Sequence, residues 1–193
     1  MKILEFRYVN KFDPFDDTYP HWSRKYEYPT VLAEITKRLG EFKDTPKIHN
    51  TSWGFDEPHH LRFKNLLESR FFAHNVTNSD IIYSGVQNTC YHDITQPPNE
   101  NFRETFDFVL NVSAVEEISG DQGAYVQNLY DQVRPGGYLI ITADYPGFVV
   151  DSLLKNLSQE NWEHRIQTDA TKWNSHPQLN VLLLIIQKEK KEY

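Results

Sequence analysis

FRETFDFVLNVSAVEEISGDQGAYVQNLYDQVRPGGYLIITADYPG, Phe102 to Gly147, is the stretch on which the fold turns. It opens with FDFVLNVS, an apolar run rich in Val and Phe and of a length suited to a strand buried on both faces. In the following SAVEEISGDQGAYVQNLYDQV, Ala124, Leu129 and Val133 fall near helical spacing, and Arg134-Pro135-Gly136-Gly137 forces a stop. A second apolar run, Tyr138 to Ala143, follows directly. Strand, helix, Gly-rich stop and strand make a right-handed βαβ unit, because a crossover of that length lets the two strands lie parallel. That unit is the local signature of a doubly wound α/β sheet.

The pair FDFVLNVSAVEEI and VRPGGYLIITA resembles the fourth and fifth strands of class I S-adenosylmethionine-dependent methyltransferases. There, an FD-apolar strand precedes one that follows a Pro-Gly-Gly turn. The resemblance extends over Tyr26 to Lys188 and implies a Rossmann-like, mostly parallel seven-stranded sheet with a terminal antiparallel hairpin. It also implies S-adenosylmethionine as cofactor.

The composition fits one domain. A chain of 193 residues is long enough to bury a full core, so residues 1–193 are expected to form a single unit with an irregular arm over 1–25. The net charge of −7 argues against a chain built to grip nucleic-acid backbone or an anionic membrane. One cysteine, Cys90, excludes an internal disulfide and a cysteine-based zinc set. No run approaches the ~20 apolar residues of a membrane span. The N-terminus MKILEFRYVNKFD lacks the pattern of a signal peptide, so a cytoplasmic setting is expected.

Working outward, Lys2 to Tyr8 alternates loosely and fits a short edge strand or an arm, and Asn10 to Trp22 is an irregular lead-in. SRKYEYPTVLAEITKRL puts Tyr28, Val31, Leu32, Ile35 and Leu39 on one helical face, with Gly40 as a stop. The segment Trp22 to Tyr28 would lie near the mouth of the cofactor site. Lys47 to Ser52 is the first strand of the parallel set, His59 to Phe72 the helix after it, and His74 to Ile82 the next strand with its exit. Past the fifth strand, Asp144-Tyr145-Pro146-Gly147 reads as a loop, Val149 to Trp162 as an amphipathic helix, and His164 to Thr168 and Leu179 to Gln187 as the last strands.

The resemblance places candidate cofactor residues one by one. In the family the first strand ends in an acid followed by a Gly-x-Gly turn. Here Asn50 stands where the acid is expected, Ser52 replaces the first Gly, and Trp53 and Gly54 follow. Asn50 can accept a hydrogen bond but supplies no charge, and the Cβ of Ser52 resists a positive φ, so an altered turn is expected. Asp80 stands where the family's ribose acid lies, and Asp93 and Ile94 match the acid at the adenine amino group and the apolar residue on its ring. Asn111, Val112 and Ser113 arrive at the carboxyl end of the fourth strand, where open α/β sheets bind ligands.

Beside each functional role stands a plainer one: Asp80 and Asp93 also suit turns, and Glu116 and Glu117 suit a helix start. The adjacent His59 and His60 point about 100° apart on a helix and have no acid to complete a ligand set, so no metal is expected. The function implied is methyl transfer to a small-molecule or carbohydrate acceptor, without nucleic-acid or membrane partners. His21, His92, Glu116 and Asp144 are the available bases. The alternative is a methyltransferase-fold protein that binds without turnover, favoured by Asn50, by Ser52 and by Glu117 at a position where related enzymes carry histidine.

Overall fold

The computed structural model describes residues 2–8, 23–54, 58–82, 85–145 and 180–190. Their elements are β1 (Lys2–Tyr8), α1 (Arg24–Arg38), β2 (Ile48–Thr51), α2 (Pro58–Phe71), β3 (Val76–Asp80), β4 (Thr89–Tyr91), β5 (Phe106–Val112), α3 (Gln122–Tyr130), β6 (Val133–Tyr145) and β7 (Asn180–Gln187). Hydrogen bonding joins the strands into one sheet in the order β1-β7-β6-β5-β2-β3-β4. β2 through β6 are mutually parallel, and β7 runs antiparallel between β6 and β1.

Six of the strands expected from sequence are in place. The expected seventh, His164 to Thr168, lies outside the described residues, as do the helix at Val149 to Trp162 and the lead-in at Asn10 to Trp22. The partner actually found for β7 is β1, with Lys2 opposite Gln187 and Tyr8 opposite Leu182. The start of the chain is therefore a paired edge strand rather than part of an irregular arm. A second correction concerns Asp144 and Tyr145, expected in a loop: both continue β6, opposite Val181 and Asn180.

Both faces of the sheet are covered, as a mostly parallel sheet requires. Because successive strand side chains point to opposite faces, Val109, Leu139, Ile141 and Leu184 pack under Val126 and Leu129 of α3. Phe108, Leu110, Ile140 and Ile185 pack under Val31 and Ile35 of α1 and Phe63 and Leu67 of α2. The periodic face read from the α1 sequence is buried at Tyr28, Val31, Leu32 and Ile35. α3 is shorter than the sequence suggested, because Asp121 caps it by accepting the Ala124 N–H at 3.1 Å. The residues before it form a separate 3-10 turn, Val115–Glu117.

The two motifs that open the sequence reading meet at the amino edge of the sheet. Asp107 Oδ2 accepts the Lys47 N–H at 2.8 Å, and Oδ1 pairs with Arg134. One side chain thus ties β5 to the starts of β2 and β6. Gly137 completes the joint: a Cβ there would lie 2.7 Å from the Asp107 carbonyl oxygen.

Candidate functional site

The chain leaves β2 for β3 and β4 on one side, then returns to β5 and β6 on the other. The strand order therefore reverses between β2 and β5, and ligands of open α/β sheets bind outside the carboxyl ends at such a reversal. A crevice of about 140 Å³ lies there, walled by Asn50, Ser52, Trp53 and Gly54 after β2, by Val112 and Ser113 after β5, and by Arg24 and Tyr28 of α1.

The turn after β2 is stitched to the end of β3. Trp53 N–H donates to the Ser79 carbonyl at 3.3 Å, and Gly54 N–H to Asp80 Oδ2 at 3.1 Å. Ser52 has φ 49°, so the turn keeps a glycine-like backbone despite its Cβ, against the sequence expectation. Left-handed geometry costs a non-glycine residue about 1–2 kcal/mol. Ser113 at the end of β5 shares it, with φ 42°. Two such residues facing one crevice are the kind of backbone strain that concentrates at functional sites. Gly54 is needed where it stands, because φ is 63° and a Cβ would lie 2.5 Å from the His60 ring.

The α1 wall is a buried ion pair. Arg24 Nη1 lies 2.5 Å from Glu27 Oε2, and the Ser113 hydroxyl donates to Glu27 Oε1. Burial alone would raise the Glu27 carboxyl, yet Arg24 and Ser113 hold it below its ordinary range. Burial likewise works against the Arg24 charge, and Glu27 more than restores it. The sequence had placed Trp22 to Tyr28 near the mouth without singling out these two. The signal available was their i,i+3 spacing in the first turn of α1.

A second acidic group lies at the ends of β5 and β6. Glu116 Oε1 accepts the Asp144 N–H at 2.8 Å, while Glu116 Oε2 and Asp144 Oδ1 are buried with no hydrogen-bond partner among the described residues. Burial is the main reason that Glu116 is pushed up to about 8 and Asp144 to about 6. Donor atoms of Glu116, Glu117 and Asp144 lie within 4.8 Å of one another, a set that could share a proton or hold a cation.

The other sequence candidates divide. Asp80 is buried beside the crevice, and its Oδ1 also accepts the Ile82 N–H at 3.1 Å. Asn111 is buried behind the wall, where its Nδ2 donates to Thr51 Oγ1 at 3.1 Å and its Oδ1 accepts the Val115 N–H at 3.1 Å. Asp93 closes its own turn by accepting the Thr95 N–H and hydroxyl. Ile94, expected against a ligand ring, instead packs into the core beneath α3. Among the described residues, Ile81 and Ile82, directly after Asp80, are apolar and more than half exposed. Of the base candidates, His21 lies outside the described residues. His92 is buried among His49 and Phe102, and burial lowers its pKa.

No family model matches the chain, and no curated protein matches it. Solved structures do. The 1,6-didemethyltoxoflavin-N1-methyltransferase of Burkholderia thailandensis, with bound S-adenosylhomocysteine, superposes with TM-score 0.55 at 13% identity, over 90% of this chain and 82% of that one. The CurJ carbon methyltransferase gives TM-score 0.56 at 10% identity, over 86% of this chain and 55% of its own. The 4+2 cyclase SpnF gives TM-score 0.52 at 12% identity, covering 92% of this chain and 86% of that one. These likenesses give the chain the class I methyltransferase fold. That a cyclase shares the architecture means that the reaction has to be argued from the site.

Proposed function

We propose that this protein is a methyltransferase that binds S-adenosylmethionine across the carboxyl ends of β2, β3 and β5 and methylates a small-molecule or carbohydrate acceptor. The observation that carries the proposal is the crevice at the strand-order reversal, with Ser52 and Ser113 held at positive φ on its opposite walls.

The residues present fit such a ligand. Asp80 spends one lone pair of each oxygen on Gly54 and Ile82, and an ionised carboxylate has about four acceptor sites, leaving capacity for two sugar hydroxyls. Ile81 and Ile82 offer apolar surface to a flat base beside it. Asn50 and the backbone of Ser52 to Gly54 wall the crevice where the family's amino-acid portion lies. When bound, the cofactor supplies a methyl group on a sulfonium, which departs with its bonding pair left on sulfur. The chain's part is to place the acceptor in line and keep water out, the entropic share of catalysis. The Asp144 carboxyl, raised to about 6 and so still mostly ionised at neutral pH, would take the proton that an O–H or N–H acceptor releases, while Glu116, raised to about 8, keeps its own.

The test is calorimetric titration with S-adenosylmethionine and S-adenosylhomocysteine, on the wild type and on Asp80→Ala. The expected result is saturable binding that falls at least about tenfold in the variant, the usual loss for hydrogen bonds to a charged group. If neither ligand binds the wild type, the proposal fails. Binding without methyl release to any hydroxyl or amine acceptor would favour the second reading, a methyltransferase-fold binding protein, which the uncharged Asn50 supports.

A further inference from the structure

Asn50 and Asn78 are register partners on the parallel strands β2 and β3, so both side chains point to the same face of the sheet, toward α2. Asn50 Nδ2 donates to Asn78 Oδ1 at 3.0 Å, and Asn78 Nδ2 donates to Glu68 Oε1 at 2.8 Å and to the Asn88 carbonyl at 3.3 Å. Glu68 Oε1 also takes the Lys64 ammonium at 2.6 Å. Lys64 in turn sits over the Trp53 ring at 5.9 Å, against the crevice turn itself.

The direction of this chain is not a free choice. An ionised carboxylate and a carbonyl can only accept. Asn78 therefore turns its nitrogen toward Glu68 and Asn88 and its oxygen toward Asn50. Asn50 must answer with its own nitrogen, which leaves Oδ1 as its unspent acceptor. No hydrogen bond among the described residues ends on that oxygen, and Asn50 lines the crevice.

We infer that Glu68 and Asn78 are positioning residues that lock the Asn50 amide, so that the crevice presents a fixed carbonyl acceptor and selects ligands carrying an amine or ammonium donor at that point. This rests on the proposed cofactor site and adds to it a device on α2 that replaces a charge at the end of β2 with an oriented dipole. A hydrogen bond to a charged partner held in this way is worth about tenfold or more in affinity.

The experiment compares S-adenosylhomocysteine, which has the α-amino group, with 5′-methylthioadenosine, which lacks the amino-acid portion, by calorimetry on the full chain. Asn50→Ala removes the acceptor, and Asn78→Ala leaves the amide free to turn. Each should weaken S-adenosylhomocysteine about tenfold while leaving 5′-methylthioadenosine unchanged, and the latter also reports that the fold is intact. Glu68→Gln keeps an amide oxygen that can accept from both Asn78 Nδ2 and the Lys64 ammonium, so the direction of the chain is retained, whereas Glu68→Ala removes that acceptor. Glu68→Gln should hold S-adenosylhomocysteine within about threefold of wild type, and Glu68→Ala should weaken it in the same sense as Asn78→Ala.

Equal losses for both ligands in Asn50→Ala, or a Glu68→Ala variant that binds S-adenosylhomocysteine as tightly as wild type, would overturn the inference. Should Asn78→Ala unfold, Asn50→Ala and the Glu68 pair of variants still decide it. A wild type that binds 5′-methylthioadenosine as tightly as S-adenosylhomocysteine refutes the donor selection alone and leaves the nucleoside site standing. Binding of neither ligand removes the site and the selection together.

Discussion

His49 is fully buried on β2, its Nδ1 donating to Gln132 Oε1 at 2.6 Å and its Nε2 accepting from the Ser79 hydroxyl at 2.7 Å. Burial, with His92 close by, drives its pKa down to about 3. Unfolded, the same ring titrates near 6.5. Between those values the unfolded chain holds a proton that the native state refuses, so stability is full above the unfolded pKa and drains away as pH falls. Going from pH 7.5 to 5.5 this one ring removes about 1.4 kcal/mol, a figure insensitive to the folded value so long as it lies well below 5.5. His92 adds a loss of the same sign, whereas Glu116 and Asp144, with raised pKa values, push the other way. The clean comparison is therefore between wild type and His49→Asn, in which those other groups are common to both. Urea unfolding at the two pH values should show wild type losing about 1.4 kcal/mol more than the variant. Equal losses would refute the account, because a ring that does not resist protonation cannot be held neutral by burial.

Two further outcomes follow from buried joints. Glu27→Gln leaves the Arg24 guanidinium without its counter-charge and should lower stability by about 3–5 kcal/mol, seen as a reduced urea midpoint with unchanged slope. In wild type, the Glu27 contribution is present above its unfolded pKa and is lost as pH drops through the lowered folded value. Gly137→Ala drives a Cβ against the Asp107 carbonyl and should cost about 1–3 kcal/mol by thermal melting, while affinity for S-adenosylhomocysteine, at the opposite edge of the sheet, stays unchanged.

Much of the architecture was legible because hydrophobic period carries it. The runs at FDFVLNV and YLIITA could only be buried strands, and Tyr28, Val31, Leu32 and Ile35 could only be one helix face. The boundaries of α3 slipped because Glu116 and Glu117 look like a helix start, and Asp121, the true cap, was one polar residue among several. The core position of Ile94 was not legible either, because nothing in a sequence says to which face of a short loop an isolated apolar residue turns. Ser52 shows the reverse case. Its side chain argued against the backbone it adopts, and the hydrogen bonds from Trp53 and Gly54 to the end of β3 override that local preference. The Asn50–Asn78–Glu68 chain was not legible, because it depends on which strands and helices become neighbours; the Arg24–Glu27 pair had a local signal in its spacing, but its place against Ser113 depends on the same neighbours.

The pairing of β1 with β7 has a consequence for solubility. Val181 to Ile186 form an unbroken buried apolar run, and from Leu182 onward the side away from β6 is paired with β1. Strip that border away and the sheet ends in a long, greasy, hydrogen-bond-hungry rim, a template on which a second molecule can stack. The opening residues of the chain thus act as a selvedge, finishing the fabric on the side away from β4.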